Sequence, residues 1–185
     1  GTNSMLVLRP ADANETTVAW KLALENTKTP TALILSRQNI KDLPSAGSRY
    51  SDALMLEKGA YIVNDCEGRP DVILLASGSE VSLIIEAGKR LAEQGVSVRL
   101  VSFPSWELFN QQDQVYRDTV LPPEVELRLS VEAGVSQGWH RWTGPRGHVL
   151  GLDRFGASAP AGQVFKNLGF SVENILQIVA DMLQK

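Results

Sequence analysis

The sequence has little of several features that identify particular classes of protein. It contains one cysteine, Cys66, so no internal disulfide can form, which fits a reducing compartment. Its net charge is only −3, without the basic excess of a nucleic-acid-binding surface. No apolar run approaches the roughly 20 residues that a membrane-spanning helix requires. We therefore expect a cytoplasmic protein with neither a nucleic-acid partner nor a membrane partner.

What the sequence does contain fits a folded domain rather than a disordered chain. Hydrophobic residues account for 43% and charged residues for 21% of the 185 positions. This length is enough for one domain of ordinary size and part of another. The first residues carry no basic region and no signal-peptide pattern, and a strand-like run, Leu6–Leu8, follows almost at once.

The amino-terminal segment predicts a strand–helix–strand unit. After the strand at Leu6–Leu8, Asp12 predicts the cap of a helix, and Glu15, three residues on, is its expected reciprocal partner. Pro30 marks the start of a second strand, Thr31–Leu35, whose aliphatic and β-branched residues predict burial on both faces. Two strands joined through a helix predict parallel pairing.

The rest of the chain alternates between strand and helix patterns. Residues 40–55 show no clear period and are the best candidate for a linker. Further strands are predicted at 71–77, 96–101, 126–131 and 149–152. Helices are predicted at 106–119, from the Ser-Gly-Ser-Glu motif at 77–80 onward, with Pro160 in the first turn of another, and after Ser171. We therefore predict an α/β fold in three layers, a mostly parallel twisted sheet with helices on both faces.

Arg37 is the candidate binding residue, because it follows the predicted strand Thr31–Leu35. In parallel sheets ligands gather at the carboxyl ends of the strands. The guanidinium is a permanently charged fork that suits a phosphate or a carboxylate. From the residues alone, an ion pair between domains is the alternative for Arg37, and the sequence favours it.

Other polar residues favour structural roles. Residues 77–80, Ser-Gly-Ser-Glu, predict a capping box, although a helix N-terminus with a glycine can also hold an anion. The run Trp139-His-Arg-Trp142 predicts a contact surface, with His140 at the surface rather than in catalysis. Glu132 is predicted to be structural, and Cys66 inert because no histidine lies near it in the sequence.

Several motifs, in order along nearly the whole chain, closely resemble the transketolase family. They are Arg-Pro-Ala-Asp-Ala-Asn-Glu at 9–15, Pro-Thr-Ala-Leu at 30–33, Ser-Arg-Gln-Asn at 36–39, Lys-Gly-Ala-Tyr at 58–61, Ser-Gly-Ser-Glu at 77–80, Val-Glu-Ala-Gly at 131–134, Phe-Gly-Ala-Ser-Ala-Pro at 155–160 and Gly-Phe-Ser-Val-Glu-Asn at 169–174. The resemblance implies that the chain is a carboxyl-terminal fragment. Residues 1–44 would be the remnant of the pyrimidine-binding domain and the start of a linker, 45–57 the linker, and 58–185 the transketolase C-terminal domain.

The resemblance also implies a function for the parent protein. Transketolases are transferases of the pentose phosphate pathway, and they move a two-carbon ketol unit from a ketose phosphate to an aldose phosphate. They use thiamine diphosphate and a divalent metal, Mg or Ca, and form homodimers. Arg37 matches the family arginine that binds the phosphate of the sugar substrate. The expected partners are therefore sugar phosphates, a second copy of the protein, and the upstream domains of the same polypeptide.

The resemblance implies as well what this chain does not carry. The family holds the cofactor diphosphate through a metal at a Gly-Asp-Gly motif, and that motif does not occur here. We therefore expect no catalytic, cofactor-binding or metal-binding residue in this chain, no cofactor bound to it alone, and no activity of the isolated chain.

Two alternatives stay open. One is a free-standing α/β module that binds an anionic metabolite or a partner protein, and the other is the C-terminal part of another thiamine-diphosphate enzyme.

Overall fold

A computed structural model describes residues 4–184, so the outermost positions of the predicted ranges 1–44 and 58–185 lie outside the described residues. The strands are β1 (Leu6–Leu8), β2 (Thr31–Leu33), β3 (Tyr61–Asn64), β4 (Val72–Ala76), β5 (Val98–Ser102), β6 (Arg128–Val131) and β7 (His148–Leu150). The helices are α1 (Ala13–Glu25), α2 (Arg49–Ala53), α3 (Glu80–Glu93), α4 (Trp106–Asn110), α5 (Gln114–Val120), α6 (His140–Thr143), α7 (Ala161–Asn167) and α8 (Val172–Leu183). A 3₁₀ helix, Leu54–Lys58, follows α2 directly.

The strands form two sheets. Strands β1 and β2 pair in parallel, with Leu6 opposite Thr31 and Leu8 opposite Leu33, as the strand–helix–strand pattern predicts. The second sheet has the order β3-β5-β4-β6-β7, and only its edge strand β3 runs antiparallel to its neighbour. The predicted α/β fold with a mostly parallel sheet is therefore confirmed.

Strand β4 lies between two hydrophobic cores, one on each face of the large sheet. All five of its residues are buried, and successive side chains point to opposite faces. Leu74 belongs to the core under α3 and α8, whereas Ile73 and Leu75 belong to the core under α4 and α6. Apolar residues on both faces explain why the strand reads as an unbroken hydrophobic run, and they give the fold its three layers.

The long helices follow the sequence pattern closely. Helix α3 buries the side chains of Ile84 and Leu91, and it ends before Gly95, whose φ of 82° is the left-handed stop expected there. A Cβ at Gly88 would lie 2.8 Å from the Leu100 side chain, so the glycine lets α3 approach β5. Helix α8 begins after Ser171, whose hydroxyl accepts from the backbone N–H of Asn174.

Three parts of the first half differ from the sequence prediction. Strand β2 ends at Leu33, and Ile34 and Leu35 are exposed, so the predicted strand Thr31–Leu35 buried on both faces is wrong. The short, half-buried strand β3 was not predicted. The segment at 40–55 contains α2 and the buried Leu43, so part of the predicted linker packs against the fold.

The predicted helix at 106–119 is two helices. Asp113 begins α5 by accepting a hydrogen bond from the backbone N–H of Tyr116, which separates α5 from α4. Within the described range, no helix is both long and apolar enough to cross a bilayer.

Candidate functional site

The ends of three strands from two different sheets meet at one place. After β4 the chain leads through α3 to β5 on one side, whereas after β6 it leads to β7 on the other side. Such a switch in direction opens a crevice at the carboxyl ends of two neighbouring parallel strands, and α/β proteins bind ligands there. In this structure Arg9, which follows β1, lies in that crevice.

The Arg9 guanidinium is held by groups from both sides of the crevice. Its Nη1 donates to the carbonyl oxygen of Ser77 at 2.6 Å and lies 2.8 Å from Oε1 of Glu132. Its Nη2 lies 2.5 Å from Oε2 of Glu80, a side chain with no exposed surface. One cation is therefore paired with two carboxylates, and the Arg9 side chain itself is only 20% exposed.

A second set of hydrogen bonds fixes these carboxylates. The hydroxyl of Ser77 donates to Oε2 of Glu132 at 2.7 Å, and the backbone N–H of Ala133 donates to Oε2 of Glu80 at 3.1 Å. Gly78 makes room for the cation, because a Cβ there would lie 2.8 Å from Cζ of Arg9. Gly78 also has a φ of 57°, a conformation that favours glycine.

Burial raises the pKa of Glu132 to about 7, and the nearby carboxylate of Glu80 acts in the same direction. The Arg9 charge and the hydrogen bond from Ser77 lower the pKa but do not cancel the effect of burial. Glu132 is therefore a carboxyl group that titrates near neutral pH.

The crevice overturns the predicted capping box at 77–80. Ser79 stands at the N-cap of α3 and makes no side-chain cap hydrogen bond, while the side chains of Ser77 and Glu80 bind Arg9 instead. The motif also holds a cation here, not an anion. The predicted structural role of Glu132 agrees with its contact with Arg9.

An open cleft of about 520 Å³ lies beside the Arg9 crevice. Its walls are largely apolar and include Phe103, Trp106 and Trp139, and Arg9 and Glu132 also line it. The cleft connects the crevice to solvent.

A second buried polar network joins the first unit to the large sheet. Oε1 of Glu15 accepts from the hydroxyls of Tyr61 at 2.5 Å and Ser102 at 2.8 Å, and Nη2 of Arg49 lies 3.2 Å away. Arg49 also binds Asp12, with 2.6 Å between Nε and Oδ2. Asp12 caps α1 as predicted, but Glu15 accepts from the backbone N–H of Ala11 rather than that of Asp12.

Burial raises the pKa of Glu15, and the hydrogen bonds that it accepts, led by that from Tyr61, oppose this effect. Burial also raises the pKa of the Tyr61 hydroxyl, and the neighbouring Glu15 raises it further. Both groups therefore keep their protons more tightly than they would in water, which suits a fixed structural network.

Arg37, the predicted phosphate-binding residue, lies apart from both networks. It is exposed in the segment that follows β2, four positions beyond Leu33. Its guanidinium makes no hydrogen bond or ion pair with any residue of the described range 4–184. The side chain is therefore open to a ligand and is not fixed within the chain.

The remaining sequence candidates take structural positions. Trp139 and Trp142 are buried and contact Phe103 edge-on, so the prediction that they form a contact surface is wrong. His140 is exposed, as predicted for a surface residue. Among residues 4–184, no three His, Cys, Asp or Glu side chains are grouped closely enough to hold a metal ion.

The sequence contains all the members of the Arg9 crevice, but their partnership was not predicted. Arg9 and Ser77 are 68 positions apart, and local spacing indicates Glu80 as the partner of Ser77 rather than Arg9. The available signal is a charged residue at the end of an apolar strand, and Arg9, which directly follows Leu8, carries it as clearly as Arg37 does.

Comparison with known proteins identifies the family. The profile of the transketolase-like TK C-terminal domain matches residues 59–171, more than half of the chain. The chain belongs to the transketolase family. A transketolase of Geobacillus stearothermophilus is 45% identical over 183 residues, which cover 98% of this chain and 27% of that protein. The chain thus spans about a quarter of the length of the curated relatives it matches.

Solved transketolase structures share the fold. The transketolase of Leishmania mexicana matches 98% of this chain and 25% of its own, with 41% identity and a TM-score of 0.86. A Pichia stipitis transketolase in complex with sedoheptulose-7-phosphate matches the whole chain and 26% of its own, with 38% identity and a TM-score of 0.87. The transketolase resemblance seen in the sequence motifs is therefore confirmed.

Proposed function

We propose that this chain is the C-terminal part of a transketolase, and that the whole protein transfers a two-carbon ketol unit from a ketose phosphate to an aldose phosphate. The observation that carries this proposal is the family match across residues 59–171, together with transketolases that align with 98% of the chain. The similarity in fold to the solved transketolase of Leishmania mexicana, with a TM-score of 0.86 over 98% of the chain, supports it. The relatives described above are transketolases, which favours this assignment over another thiamine-diphosphate enzyme.

Within that protein, Arg37 is proposed to bind the phosphate of the sugar. The relative from Pichia stipitis has been solved with a sugar phosphate, sedoheptulose-7-phosphate. In this chain Arg37 is exposed, has no partner in the described range, and follows the carboxyl end of a parallel strand. A charged hydrogen bond to phosphate contributes on the order of 1.5–3 kcal/mol, or roughly ten- to a hundredfold in affinity.

The cofactor of the proposed reaction depends on residues outside this chain. Thiamine diphosphate with Mg or Ca would supply the carbanion chemistry when it is bound. The described residues contain no acidic, histidine or cysteine cluster for the metal, and so they do not fit that site by themselves. Our proposal is that the isolated chain is inactive, and that the whole protein is a cytoplasmic homodimer of the pentose phosphate pathway.

The alternative of a free-standing module for an anionic metabolite loses its main argument. That argument depended on the helix N-terminus at 77–80, where the structure holds the Arg9 cation between two carboxylates. A negative ligand would meet Glu80 and Glu132 at that position.

The Arg37→Ala substitution in the full-length transketolase tests the phosphate role. We expect KM for phosphorylated ketoses to rise roughly ten- to a hundredfold, with little change for an unphosphorylated donor such as hydroxypyruvate. The difference follows because only the phosphorylated donor loses a charged partner. Steady-state kinetics with both donors would measure the two KM values.

Lys41→Ala is the matched control, since it removes another exposed cation four positions from Arg37. This control should leave the ratio of the two KM values unchanged. Equal KM changes for both donors in Arg37→Ala would contradict the phosphate role, whereas an unchanged fold and an active dimer would leave the family assignment intact.

A further inference from the structure

We propose that the crevice between the ends of β4 and β6 is a guanidinium-binding site, and that the side chain of Arg9 is its built-in ligand. The site would fasten the unit β1-α1-β2 to the five-stranded sheet. It is separate from Arg37 and does not depend on the proposed sugar-phosphate chemistry.

The acceptors of the crevice match a planar fork of N–H donors. Two carboxylates, a carbonyl oxygen and a hydroxyl surround the Arg9 guanidinium, at distances between 2.5 and 3.0 Å. Nη1 donates hydrogen bonds to Ser77 and pairs with Glu132, while Nη2 pairs with Glu80. A guanidinium presents five N–H donors in one plane, whereas an ammonium group is a compact point charge that cannot reach both sides equally.

The site is also prepared without help from Arg9. Glu80 is held by the Ala133 N–H and by the hydroxyl of Ser79, and Glu132 is held by the hydroxyl of Ser77. Gly78 leaves the space that the cation occupies. Acceptors fixed before the ligand arrives reduce the entropy lost on binding.

The place of the site in the fold explains why it exists. The crevice at a switch in strand direction is where α/β domains bind their ligands. Here that position is taken by a side chain of the preceding unit, so the binding geometry of the fold serves to join two parts of one chain. Backbone hydrogen bonds support the same contact. The N–H of Arg9 donates to the carbonyl oxygen of Pro104, and the N–H of Gly78 donates to the carbonyl oxygen of Arg9.

Chemical rescue tests this site directly. Arg9→Ala in the 185-residue chain leaves two buried carboxylates without their cation, and we expect it to lower the Tm by about 5–15 °C. At pH 8.5 and fixed ionic strength, ethylguanidinium at about 10 mM should restore about 3–6 °C of the loss, the shift expected at roughly ten times the millimolar Kd of a small fragment. The open cleft beside the crevice gives the compound its path.

Two comparisons distinguish specific binding from a general salt effect. Ethylammonium carries the same charge without the fork and should restore little. Rescue should also be lost in Arg9→Ala with Glu132→Gln, but persist in Arg9→Ala with Glu107→Gln. Glu107 lines the same cleft but binds Val7 and Ser105 rather than Arg9.

Each outcome decides the question. Equal rescue by the two cations, rescue that survives Glu132→Gln, or no rescue at all would overturn the proposal. If Arg9→Ala does not fold, the yield of refolding is measured with each compound. A gain with ethylguanidinium alone supports the site, and equal gains or none contradict it.

Discussion

At the scale of single residues, the pairing of one cation with two carboxylates decides the chemistry of the crevice. Arg9 can balance the charge of only one of Glu80 and Glu132, and both lie mostly out of contact with water. The less costly arrangement leaves one carboxyl partly protonated, which agrees with a Glu132 pKa raised to about 7 by burial.

The Glu132→Gln substitution should therefore change how stability depends on pH. A raised pKa means that the folded protein keeps a proton that the unfolded chain releases above about pH 4.5. The contribution of Glu132 is then fully present below that value and is lost as the pH rises through about 7. We expect the wild-type chain to lose about 2–3 kcal/mol between pH 5 and 8 relative to Glu132→Gln.

Urea unfolding at several pH values would measure this difference. Glu126→Gln is the control, because Glu126 is half-exposed and pairs with the equally exposed Arg146, a contact that contributes little. A difference between wild type and Glu132→Gln that does not vary from pH 5 to 8 would contradict the assignment.

The sequence could not predict these residue contacts, for a physical reason. The capping pattern at 77–80 is local, and it competes with partners that arrive from distant parts of the chain. A guanidinium brought by β1 binds Ser77 and Glu80 more strongly than the free N–H groups of α3 do, because the pairs are charged and partly buried. Local spacing contains no information about that competition.

At the scale of elements, the Glu15 network connects the first turn of α1 with two strands of the large sheet. Tyr61 comes from β3 and Ser102 from β5, and both hydroxyls donate to the same carboxylate oxygen. Arg49 binds this network from α2 and also contacts the hydroxyl of Tyr61. The unit β1-α1-β2 is thus joined to the sheet at two places, by this network and by Arg9.

Removal of one hydroxyl should weaken this connection. Tyr61→Phe takes a buried partner from both Glu15 and Arg49, and we expect the free energy of unfolding to fall by about 2–3 kcal/mol. Tyr116→Phe is the matched control, since its hydroxyl donates to a single backbone carbonyl, that of Ala60 at 3.0 Å, and should cost about 0.5–1.5 kcal/mol. Urea unfolding would compare them, and equal losses would argue against a special role for the network.

Elements with strong periodicity could be predicted, and those defined by distant contacts could not. Helices α3 and α8 have an apolar stripe and clear ends, and β4 is an unbroken apolar run. Strand β3 is short and half-buried at the sheet edge, so its pattern is weak. The break between α4 and α5 depends on the capping side chain of Asp113, which the apolar spacing does not reveal.

At the scale of the whole molecule, the order of motifs indicated the family, and alternating patterns indicated the class of fold. Both follow from local sequence. Local sequence could not predict how deeply β2 is buried, because burial depends on what packs against a strand. The residues of Thr31–Leu33 are only half-buried in this structure, and the aliphatic Ile34 and Leu35 are exposed.

The exposed apolar face near β2 leads to a prediction about association. Trp20 is 51% exposed, Leu24 77% and Leu35 49%, and all three line one open cleft. A contiguous apolar surface of this kind favours contact with another surface.

We expect the 185-residue chain to associate with itself in a concentration-dependent manner, and Leu24→Lys to shift it toward the monomer. Val115→Lys should not, although Val115 is also 77% exposed, because it lies outside that cleft. Sedimentation velocity over a range of concentrations would separate the variants, and a wild-type chain that stays monomeric at high concentration would show that this face does not drive association.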